Sequence, residues 1–586
     1  MAGVFCSMEM PSMPFSQFPT SVEHIEPTCW GTFQPYFTEL QKRELTPVTV
    51  RQWLADWSQL QALFEEAGSL IYIHKSQDTA DKEKEQAFLD FINHVIPSAK
   101  VAEQKLKERF LSLDPVAYGL EDLGKIWRDL ANDAALFREE NVPLLTQTAE
   151  LENEYDKVTG GMSADWDGEA KNLNQLGALL SEKDRAVRER AWLTMRDLWL
   201  AARLRLNEIY ADLLKLRHQV ALNAGLPDYR AYVFQQYRRY DYTPEDCVTF
   251  HEAIAAVAVP AAQRIYAKKR ARLGVETLRP WDTQVDTSSA PPLRPYQGQD
   301  ALVQGSLDIF HRVDAELARQ FATMAEEELL DLETRAGKAL GGYCSTLSFR
   351  KRPFIFMNGV GQHEDVQTML HEAGHAFHVF ETADLPLIWQ AEPPMEFCEV
   401  ASMSMELLAA PYLTKDQGGF YTAEEAARAR IEHLEGIITF WPYMAVVDAF
   451  QHWVYTHPDE ALDSANCDAT WDALWQRFMT GVDWSGYEAM RETGWHRKLH
   501  IFGVPFYYVE YGMAQVGAVQ VWRNSLVDQA TAVKNYRHAL SLGSTVPLPE
   551  LFAAAGAEFR FDEPMLRELV ELVEGTIARL EGETAV

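Results

Sequence analysis

The sequence predicts a mostly α-helical protein with one small β element. From about residue 47 to residue 275, apolar residues recur at steps of three and four with charged residues between them, which is the pattern of amphipathic helices. The stretch LGGYCSTLSFRKRPFIFMNG, 340–359, follows its glycines with alternating and β-branched residues, which predicts a hairpin or a small sheet. Most of the chain from there to residue 586 has a helical pattern again.

Three further segments complete the predicted order of elements. Residues 1–45 are rich in Pro, Ser and Phe and are expected to form an irregular leader that packs on the body. The segment RPWDTQVDTSSAPPLRPYQG, 279–298, holds four prolines, so regular structure should break there, and helices should resume over 300–336. No repeat of 30–45 residues is visible, which argues against a solenoid.

Charge and composition narrow the classes of partner. The chain of 586 residues has 54 Lys and Arg against 86 Asp and Glu, a net charge of −32, so nucleic acid and anionic membrane surfaces are not expected partners. Apolar residues make up 47% of the chain, as in a packed globular protein. The excess of acidic residues is expected to serve solubility alone. The functional alternative is an acidic channel that favours cationic peptides.

Cysteine usage and the start of the chain predict a soluble cytoplasmic protein. The beginning, MAGVFCSMEMPSMPF, lacks the basic start and continuous apolar core of a signal peptide. The longest apolar run, AIAAVAVPAA, is half a membrane span and contains a proline. Scattered cysteines without a CxxC pair indicate reduced thiols. These cysteines are Cys6, Cys29, Cys247, Cys344, Cys398 and Cys467.

One helical stretch, QTMLHEAGHAFHVFE, 367–381, carries an unusual concentration of ionisable residues. His371, Glu372, His375 and His378 lie within eight residues of an otherwise apolar segment. Buried ionisable groups are costly unless they are paired or bind a metal, so the segment is either a metal site or a polar piece of core. Its helix should begin near Glu364 and Asp365, whose negative charges suit a helix N-terminus.

The spacing of HEAGH favours the metal site. Helix positions i and i+4 are about 40° apart, so His371 and His375 project from one face and can bind one Zn²⁺. Glu372 stands about 100° around the helix, where a base can take a proton from metal-bound water. His378 shares the metal face but lies a turn too far along, so we expect a packed histidine, with a ligand as the lesser alternative. The extended metzincin pattern is excluded, because Glu381 stands where it requires His.

A third protein ligand is needed, and several carboxylates follow the motif. We favour Glu399, at the start of the apolar run in MEFCEVASMSMELLAAPYL, 395–413, which predicts a second buried helix. Glu406 lies seven residues on, on the same face, and is expected to accept a hydrogen bond from an imidazole N–H; a solvated helix glutamate is the alternative. Cys398 is expected to be a core thiol. The full set of candidates is Glu381, Asp384, Glu392, Glu396, Glu399 and Glu406.

A second cluster stands near the C-terminus, in WHRKLHIFGVPFYYVEYGMAQVGA, 495–518. Hydrolysis of an amide at zinc builds negative charge on the carbonyl oxygen, and neutral donors such as an imidazole or a tyrosine hydroxyl stabilise it. The candidate donors are His500, Tyr507, Tyr508 and Tyr511. Core packing is the alternative for each tyrosine. A second zinc site at His496 and His500 is not expected, since no carboxylate stands where a base would.

Taken together, these segments resemble the M3 family of metallopeptidases, specifically the oligoendopeptidase F branch of the thimet oligopeptidase group. The resemblance is strong over about 200–586. The first 190 residues resemble the helical N-terminal region of the family only in their general character. The segments that carry it are YRRYDYTPEDCVTFH, LRPWD, LLDLETRAGKALGGYC, DVQTMLHEAGHAFH, EFCEVASMSMELL, HIFGVPFYYVEYG and ALSLGSTVPLPELFAAAGAEF.

The resemblance implies a two-lobed helical body around a deep central channel, with one zinc ion on its floor and the small β element next to the HExxH helix. It implies an N-terminal helical region, 1–190, and a catalytic peptidase domain, 191–586, whose lobes interleave in space. In the family the glutamate of the segment that matches EVAS is the third ligand, which agrees with the independent choice of Glu399. The family's donors map to His500 and to tyrosines of PFYYVEY, of which Tyr511 is preferred.

The function expected from the resemblance is a zinc-dependent endopeptidase that hydrolyses short oligopeptides. A dipeptidyl carboxypeptidase of the same group is the nearest alternative, and a non-catalytic peptide-binding protein on this fold is a remote one. His₂Glu ligation favours Zn²⁺ and would also accept Co²⁺ or Mn²⁺. The sequence does not specify the oligomeric state.

Overall fold

The computed structural model describes residues 13, 15–288, 290–335, 337–339 and 341–584. Within these residues the chain is mostly α-helical, as predicted, with short 3₁₀ turns between helices. A π-helical turn over Phe91–Val95 joins the third and fourth helices. The N-terminal and central helices are α1 Trp30–Lys42, α2 Val50–Gln77, α3 Lys82–Asp90, α4 Ile96–Leu111, α5 Gly124–Leu136, α6 Asn141–Gly160, α7 Leu173–Ala178, α8 Arg185–Asn223, α9 Tyr229–Gln236, α10 Pro244–Ala256, α11 Ala258–Leu273, α12 Gln299–Val313 and α13 Ala315–Glu326.

The remaining helices follow the small sheet, whose strands lie between α13 and α14. These helices are α14 His363–Glu381, α15 Ile388–Ala391, α16 Met395–Ala409, α17 Ala423–Thr456, α18 Pro458–Ala461, α19 Ser464–Phe478, α20 Glu488–Glu492, α21 Leu499–Gly503, α22 Tyr508–Ser525, α23 Gln529–Ser541, α24 Leu548–Ala554 and α25 Glu563–Thr584. The strands of the small sheet are β3 Leu330–Glu333, β4 Tyr343–Leu347 and β5 Arg352–Gly359. Two earlier strands, β1 Ser163–Trp166 and β2 Glu169–Asn172, lie between α6 and α7. No helix in the described ranges is both long and apolar enough to cross a lipid bilayer.

The small β element next to the HExxH helix is confirmed. Strand β4 pairs antiparallel with β5, as the change of pattern at 340–359 predicts. Strand β3 adds to the other side of β5 in parallel, so the order is β3–β5–β4 and β4 is an edge strand. The expectation of helix through 336 was therefore wrong beyond Glu326, where the chain turns into β3.

Two other differences from the predicted elements have local causes. The leader contains helix α1 with Pro35 inside it, and residues 1–12 and 14 lie outside the described part of the chain. Within the region expected to be wholly helical, β1 and β2 form an antiparallel hairpin. Its turn, Asp167-Gly168, has φ of 58° and 89°, as a tight hairpin turn requires, and the Asp-Gly pair is the signal that helical periodicity masked.

The described chain has two hydrophobic cores. The smaller core is built mainly from residues between Val22 and Leu130, and Leu387 and Trp389 insert into it. The larger core runs from Ile73 to Leu580. A cavity of about 880 Å³ lies between α2 of the smaller core and the helices α14 and α16 of the larger one. The two bodies and the intervening cavity agree with the predicted two-lobed architecture.

Helices α14 and α16 pack unusually closely, and a glycine makes this contact possible. A Cβ atom on Gly374 would lie 2.5 Å from the Ser402 Cα atom and 2.7 Å from the Ala401 carbonyl oxygen. No side chain fits at such distances. The glycine of HEAGH therefore lets the backbone of α16 approach the motif helix, which brings carboxylates of α16 within reach of the two histidines.

Candidate metal centre

The motif helix begins where predicted. Gln362 is the N-cap of α14, and Glu364 and Asp365 lie in the first turn. The Asp365 carboxylate accepts hydrogen bonds from the backbone N–H groups of Val360 and Gln362 and from the Tyr296 hydroxyl. These bonds satisfy donors that the helix itself leaves unpaired and fix the direction in which α14 leaves the sheet.

His371, His375 and Glu399 converge on one point. The two imidazole rings are 4.9 Å apart between centroids. The Oε2 atom of Glu399 lies 3.4 Å from His371 Nε2 and 3.7 Å from His375 Nε2. One donor atom from each residue falls within 4.8 Å of the other two. Two imidazoles and a carboxylate at this spacing fit the donor set of a catalytic zinc site.

The electrostatics of these groups also fit a cation. Burial lowers the pKa of His375 to about 4, so its imidazole is neutral and has a free lone pair at neutral pH. Burial opposes ionisation of Glu399, yet the neighbouring imidazoles and the Tyr507 hydroxyl lower its pKa to about 2. Burial likewise opposes protonation of His371, but hydrogen bonds to Glu399 and Glu406 raise its pKa well above the usual value. The site is thus rich in negative charge, which a divalent cation compensates.

Glu406 occupies the supporting position that its spacing predicts. Its Oε1 atom lies 2.6 Å from His371 Nδ1, and its Oε2 atom lies 2.7 Å from His433 Nε2. The hydrogen bond leaves the Nε2 atom of His371 facing Glu399 and His375. His433, which lies on α17, could not be predicted as a partner of Glu406, because nothing in its local sequence indicates a contact with α16.

Glu372 lies beside the donor cluster and lines the cavity. The backbone N–H of Cys344, on the edge strand β4, favours the ionised form of this carboxylate. Burial, reinforced by the negative charges of Glu399 and Glu406, raises the pKa of Glu372 to about 7. A carboxyl group with such a pKa exchanges a proton readily near neutral pH.

The structure brings His500 and two tyrosines near the centre and places the third in the core. The Tyr507 hydroxyl donates to Glu399 Oε1 at 2.9 Å, and the Tyr507 and Tyr511 rings, 5.2 Å apart, both line the cavity. His500 packs on both rings, and its Nδ1 atom is buried without a hydrogen-bond partner in the described chain. Tyr508 instead packs in the core under the Lys498 ammonium, which lies 3.8 Å from its ring centroid.

The remaining carboxylate candidates have other partners or positions. Glu381 binds Arg537 and Gln320, and Glu396 accepts a hydrogen bond from the Tyr242 hydroxyl. Glu392 lines the cavity outside the donor cluster. Asp384 is exposed in the turn that follows α14.

His378 and Cys398 both line the cavity. His378 lies outside the donor cluster, and neither of its buried ring nitrogens has a hydrogen-bond partner in the described chain. The expectation that Cys398 is a core thiol was wrong, because the turn of α16 that presents Glu399 also exposes this thiol to the cavity.

An HExxH helix that meets a glutamate of a second buried helix at the wall of a large cavity defines the class of metallopeptidases. Within this class the chain belongs to peptidase family M3, whose family model matches residues 178–571. The oligoendopeptidase F branch is supported by the chromosomal oligoendopeptidase F of Lactococcus lactis subsp. cremoris, which is 23% identical over 270 residues. The oligopeptidase PepF of Bacillus subtilis (strain 168) is 23% identical over 290 residues.

The coverage of these relatives is partial, whereas that of a solved structure is nearly complete. The alignments cover 44% and 47% of this chain, and 44% and 41% of the Lactococcus and Bacillus proteins. The chain thus spans less than half the length of these two curated relatives. The structure of PZ peptidase A with inhibitor 2 superposes with a TM-score of 0.87 at 28% identity, over 97% of this chain and 99% of that one.

Proposed function

We propose that this protein is a zinc-dependent endopeptidase that hydrolyses short oligopeptides. The observation that carries the proposal is the convergence of His371, His375 and Glu399 beside Glu372 in the wall of the large cavity. A non-catalytic peptide-binding protein would have no need to keep a buried base next to three metal ligands.

The donor set supports Zn²⁺ as the metal, one ion at this centre. Two imidazoles and one carboxylate form a ligand set found in zinc peptidases, and Co²⁺ or Mn²⁺ would be accepted in its place. When bound, Zn²⁺ supplies a Lewis acid that polarises a carbonyl group and lowers the pKa of water. His371, His375 and Glu399 would hold the ion, and Glu406 keeps His371 in the required orientation.

Glu372 is assigned the role of general base. Its carboxylate takes the proton of the attacking water and returns it to the amine that leaves when the peptide bond breaks. Tyr511 and His500 are assigned as donors to the carbonyl oxygen, where negative charge develops. Tyr507 already donates to Glu399, so its first role is to position that carboxylate.

The shape of the cavity supports peptides as substrates. Its walls come from both cores and include Gly342, Tyr343, Cys344 and Thr346 at the edge strand β4. An extended peptide can pair its backbone with such an edge as an added strand. The backbone of a folded domain is already paired within that domain, so it cannot bind in this way without unfolding. Short unstructured peptides should therefore be cleaved and packed domains spared.

We also propose the division into domains and the cellular compartment that the sequence predicts. The division into a helical region, 1–190, and a catalytic domain, 191–586, is supported by a family match that begins at residue 178. A reducing compartment such as the cytoplasm is supported by Cys247, Cys344, Cys398 and Cys467, which are thiols and not disulfides.

Cleavage of a peptide library, read by mass spectrometry with and without a chelator, tests the proposal. We expect internal cuts that chelation abolishes and that Zn²⁺ restores. Casein, offered as a long protein substrate, should be cut far more slowly than a ten-residue peptide. A library left intact by the zinc-loaded protein would overturn the proposal.

A peptide with an amidated C-terminus separates the endopeptidase from the dipeptidyl carboxypeptidase. The exopeptidase needs a cation to hold the free carboxylate, and Lys351 is the one lysine or arginine among the described residues that line the cavity. Its ammonium already donates to the carbonyl oxygens of Ala383 and Leu385. We therefore expect the amidated peptide to be cut as fast as the free acid, whereas a strong preference for the acid would favour the dipeptidyl carboxypeptidase.

A further inference from the structure

A second group of metal-type ligands lies in the interior of the described chain, away from the catalytic centre. Cys247 and His251 are one helical turn apart on α10, and Asp448 and His452 are one turn apart on α17. The two helices pack against each other, so the four side chains meet. Cys247 and Asp448 are 0% exposed, and both histidines are buried.

The donor atoms of three of these residues are close enough to share an ion. One atom each from Cys247, Asp448 and His452 falls within 4.8 Å of the other two. Zinc bonds of about 2.0–2.3 Å place tetrahedral ligand atoms about 3.3–3.8 Å apart, so a shift of about 1 Å closes the site. His251 Nε2 lies 2.8 Å from Asp448 Oδ2 and holds the carboxylate from the opposite side.

Unpaired polar atoms point to a missing ligand. The Asp448 Oδ1 atom is buried without a hydrogen-bond partner in the described residues, and His452 Nε2 is buried without a well-aligned hydrogen bond there. His452 Nε2 is the ring nitrogen that faces the group, 3.2 Å from Asp448 Oδ2, while Arg230 lies 3.4 Å from the other ring nitrogen. Native structures rarely leave buried polar atoms without a partner, and a bound ion satisfies both of these.

We propose that Cys247, Asp448 and His452 bind a structural Zn²⁺ ion, with His251 as the residue that orients Asp448. A thiol, an imidazole and a carboxylate are ligands that suit zinc and exclude Mg²⁺ and Ca²⁺, which prefer oxygen alone. On binding, the Cys247 thiol releases its proton to solvent. One thiolate and one carboxylate then balance the two charges of the ion, so the buried group becomes neutral.

This site shares no ligand with the catalytic centre. On α17, Asp448 is 15 residues beyond His433, the residue that contacts Glu406. This separation corresponds to about 22 Å along a helix axis. The ion would join α10 to α17 and stabilise the helical body, independently of whether the protein cleaves peptides.

Metal analysis of a protein without its catalytic ligands tests the proposal. We expect the unchanged protein to hold about two zinc ions per chain and the His371→Ala/His375→Ala variant to hold about one. Adding Cys247→Ser should remove the remaining ion. A double variant free of zinc after dialysis against micromolar Zn²⁺ would overturn the proposal and leave a hydrogen-bonded His–Asp–His cluster.

Spectroscopy of the double variant then identifies the atoms that bind the metal while the second site is intact. In the double variant, Co²⁺ should give a near-ultraviolet thiolate-to-metal charge-transfer band, and X-ray absorption of the zinc form should show sulfur at about 2.3 Å. The matched control is Cys467→Ser. Cys467 is another buried thiol, on α19, and it donates a hydrogen bond to the Ala461 carbonyl oxygen. The band should survive in this control and vanish with Cys247→Ser in a variant that circular dichroism shows to be folded. A coordination sphere of nitrogen and oxygen alone would overturn the assignment.

Discussion

Glu406 Oε1 lies 2.6 Å from His371 Nδ1, and the same carboxylate reaches His433 Nε2 with its other oxygen. Burial opposes the charge on Glu406, yet the two imidazole contacts lower its pKa to about 2. The carboxylate is therefore ionised throughout the neutral range and fixes the orientation of the His371 ring. A candidate metal ligand on α14 is in this way tied to α17 through a residue of α16.

The first prediction concerns this support. Glu406→Ala should weaken Zn²⁺ binding about 10- to 100-fold, because the His371 ring loses the partner that orients it. Competition with a chelating indicator measures the dissociation constant. Glu381→Gln is the control, since this residue on α14 pairs with Arg537 outside the donor cluster and should leave zinc affinity unchanged. Equal affinities for Glu406→Ala and the unchanged protein would refute the supporting role.

Glu372→Gln should retain zinc and lose turnover. The amide cannot accept the proton of the attacking water, and loss of a general base costs about 10²- to 10⁴-fold in rate. Elemental analysis and kcat on a quenched fluorescent peptide provide the two readouts. A Gln variant with near-normal kcat would show that another group activates the water.

Glu399→Ala should instead lower zinc occupancy, because one of three protein ligands is removed. Elemental analysis after dialysis measures the loss. Glu396→Gln is a matched control on the same helix, and its carboxylate faces Tyr242 and Arg239. If the Ala variant kept full occupancy and the control lost zinc, the third ligand would be Glu396.

Gly374→Ala should destabilise the protein through the contact of α14 with α16. The added methyl group meets the backbone of Ser402 and Ala401, which cannot move aside as a flexible side chain can. Overpacking of this kind typically costs about 1–3 kcal/mol, and thermal unfolding measures it. Gly436→Ala on α17 is the control, because nothing lies within 4 Å of the new Cβ and helix propensity predicts a gain of up to about 1 kcal/mol. A neutral Gly374→Ala would mean that the two helices can separate at no cost.

Most of the candidate metal centre could be predicted from the sequence, because the patterns that specify it are local. The i, i+4 spacing of His371 and His375 and the seven-residue spacing of Glu399 and Glu406 each specify one face of one helix. What the spacing does not specify is which helices meet. The contact of His433 with Glu406 depends on how α17 crosses α16, and the entry of Cys398 into the cavity depends on the rotation of α16 about its axis.

The errors in the predicted secondary structure also arise because a local pattern does not specify which distant segments meet. Strand β3 is short and gains its partner only when β5, some 20 residues later in the chain, lies beside it. A helical pattern around Glu326 gives no sign of that pairing. The β1–β2 hairpin was detectable from its Asp167-Gly168 turn, since this signal is local, but strong helical periodicity on both sides outweighed it.

The last prediction separates the tyrosines by role. Tyr511 lines the cavity, so Tyr511→Phe should lower kcat by about 10²- to 10³-fold with a much smaller change in KM, as expected for a donor that acts in the transition state. His500→Ala should give the same pattern, and zinc content should be unchanged in both variants.

Tyr507→Phe should differ, because the hydroxyl that it removes donates to Glu399 at 2.9 Å. A ligand that loses such a bond is less well oriented, so zinc affinity should fall together with kcat. Tyr508→Phe is the control and should have little effect on either quantity, since this ring packs in the core. If Tyr511→Phe were silent and Tyr507→Phe lost only kcat, the donor to the carbonyl oxygen would be Tyr507. Normal activity in every tyrosine variant would assign these residues to packing alone and remove them from the mechanism.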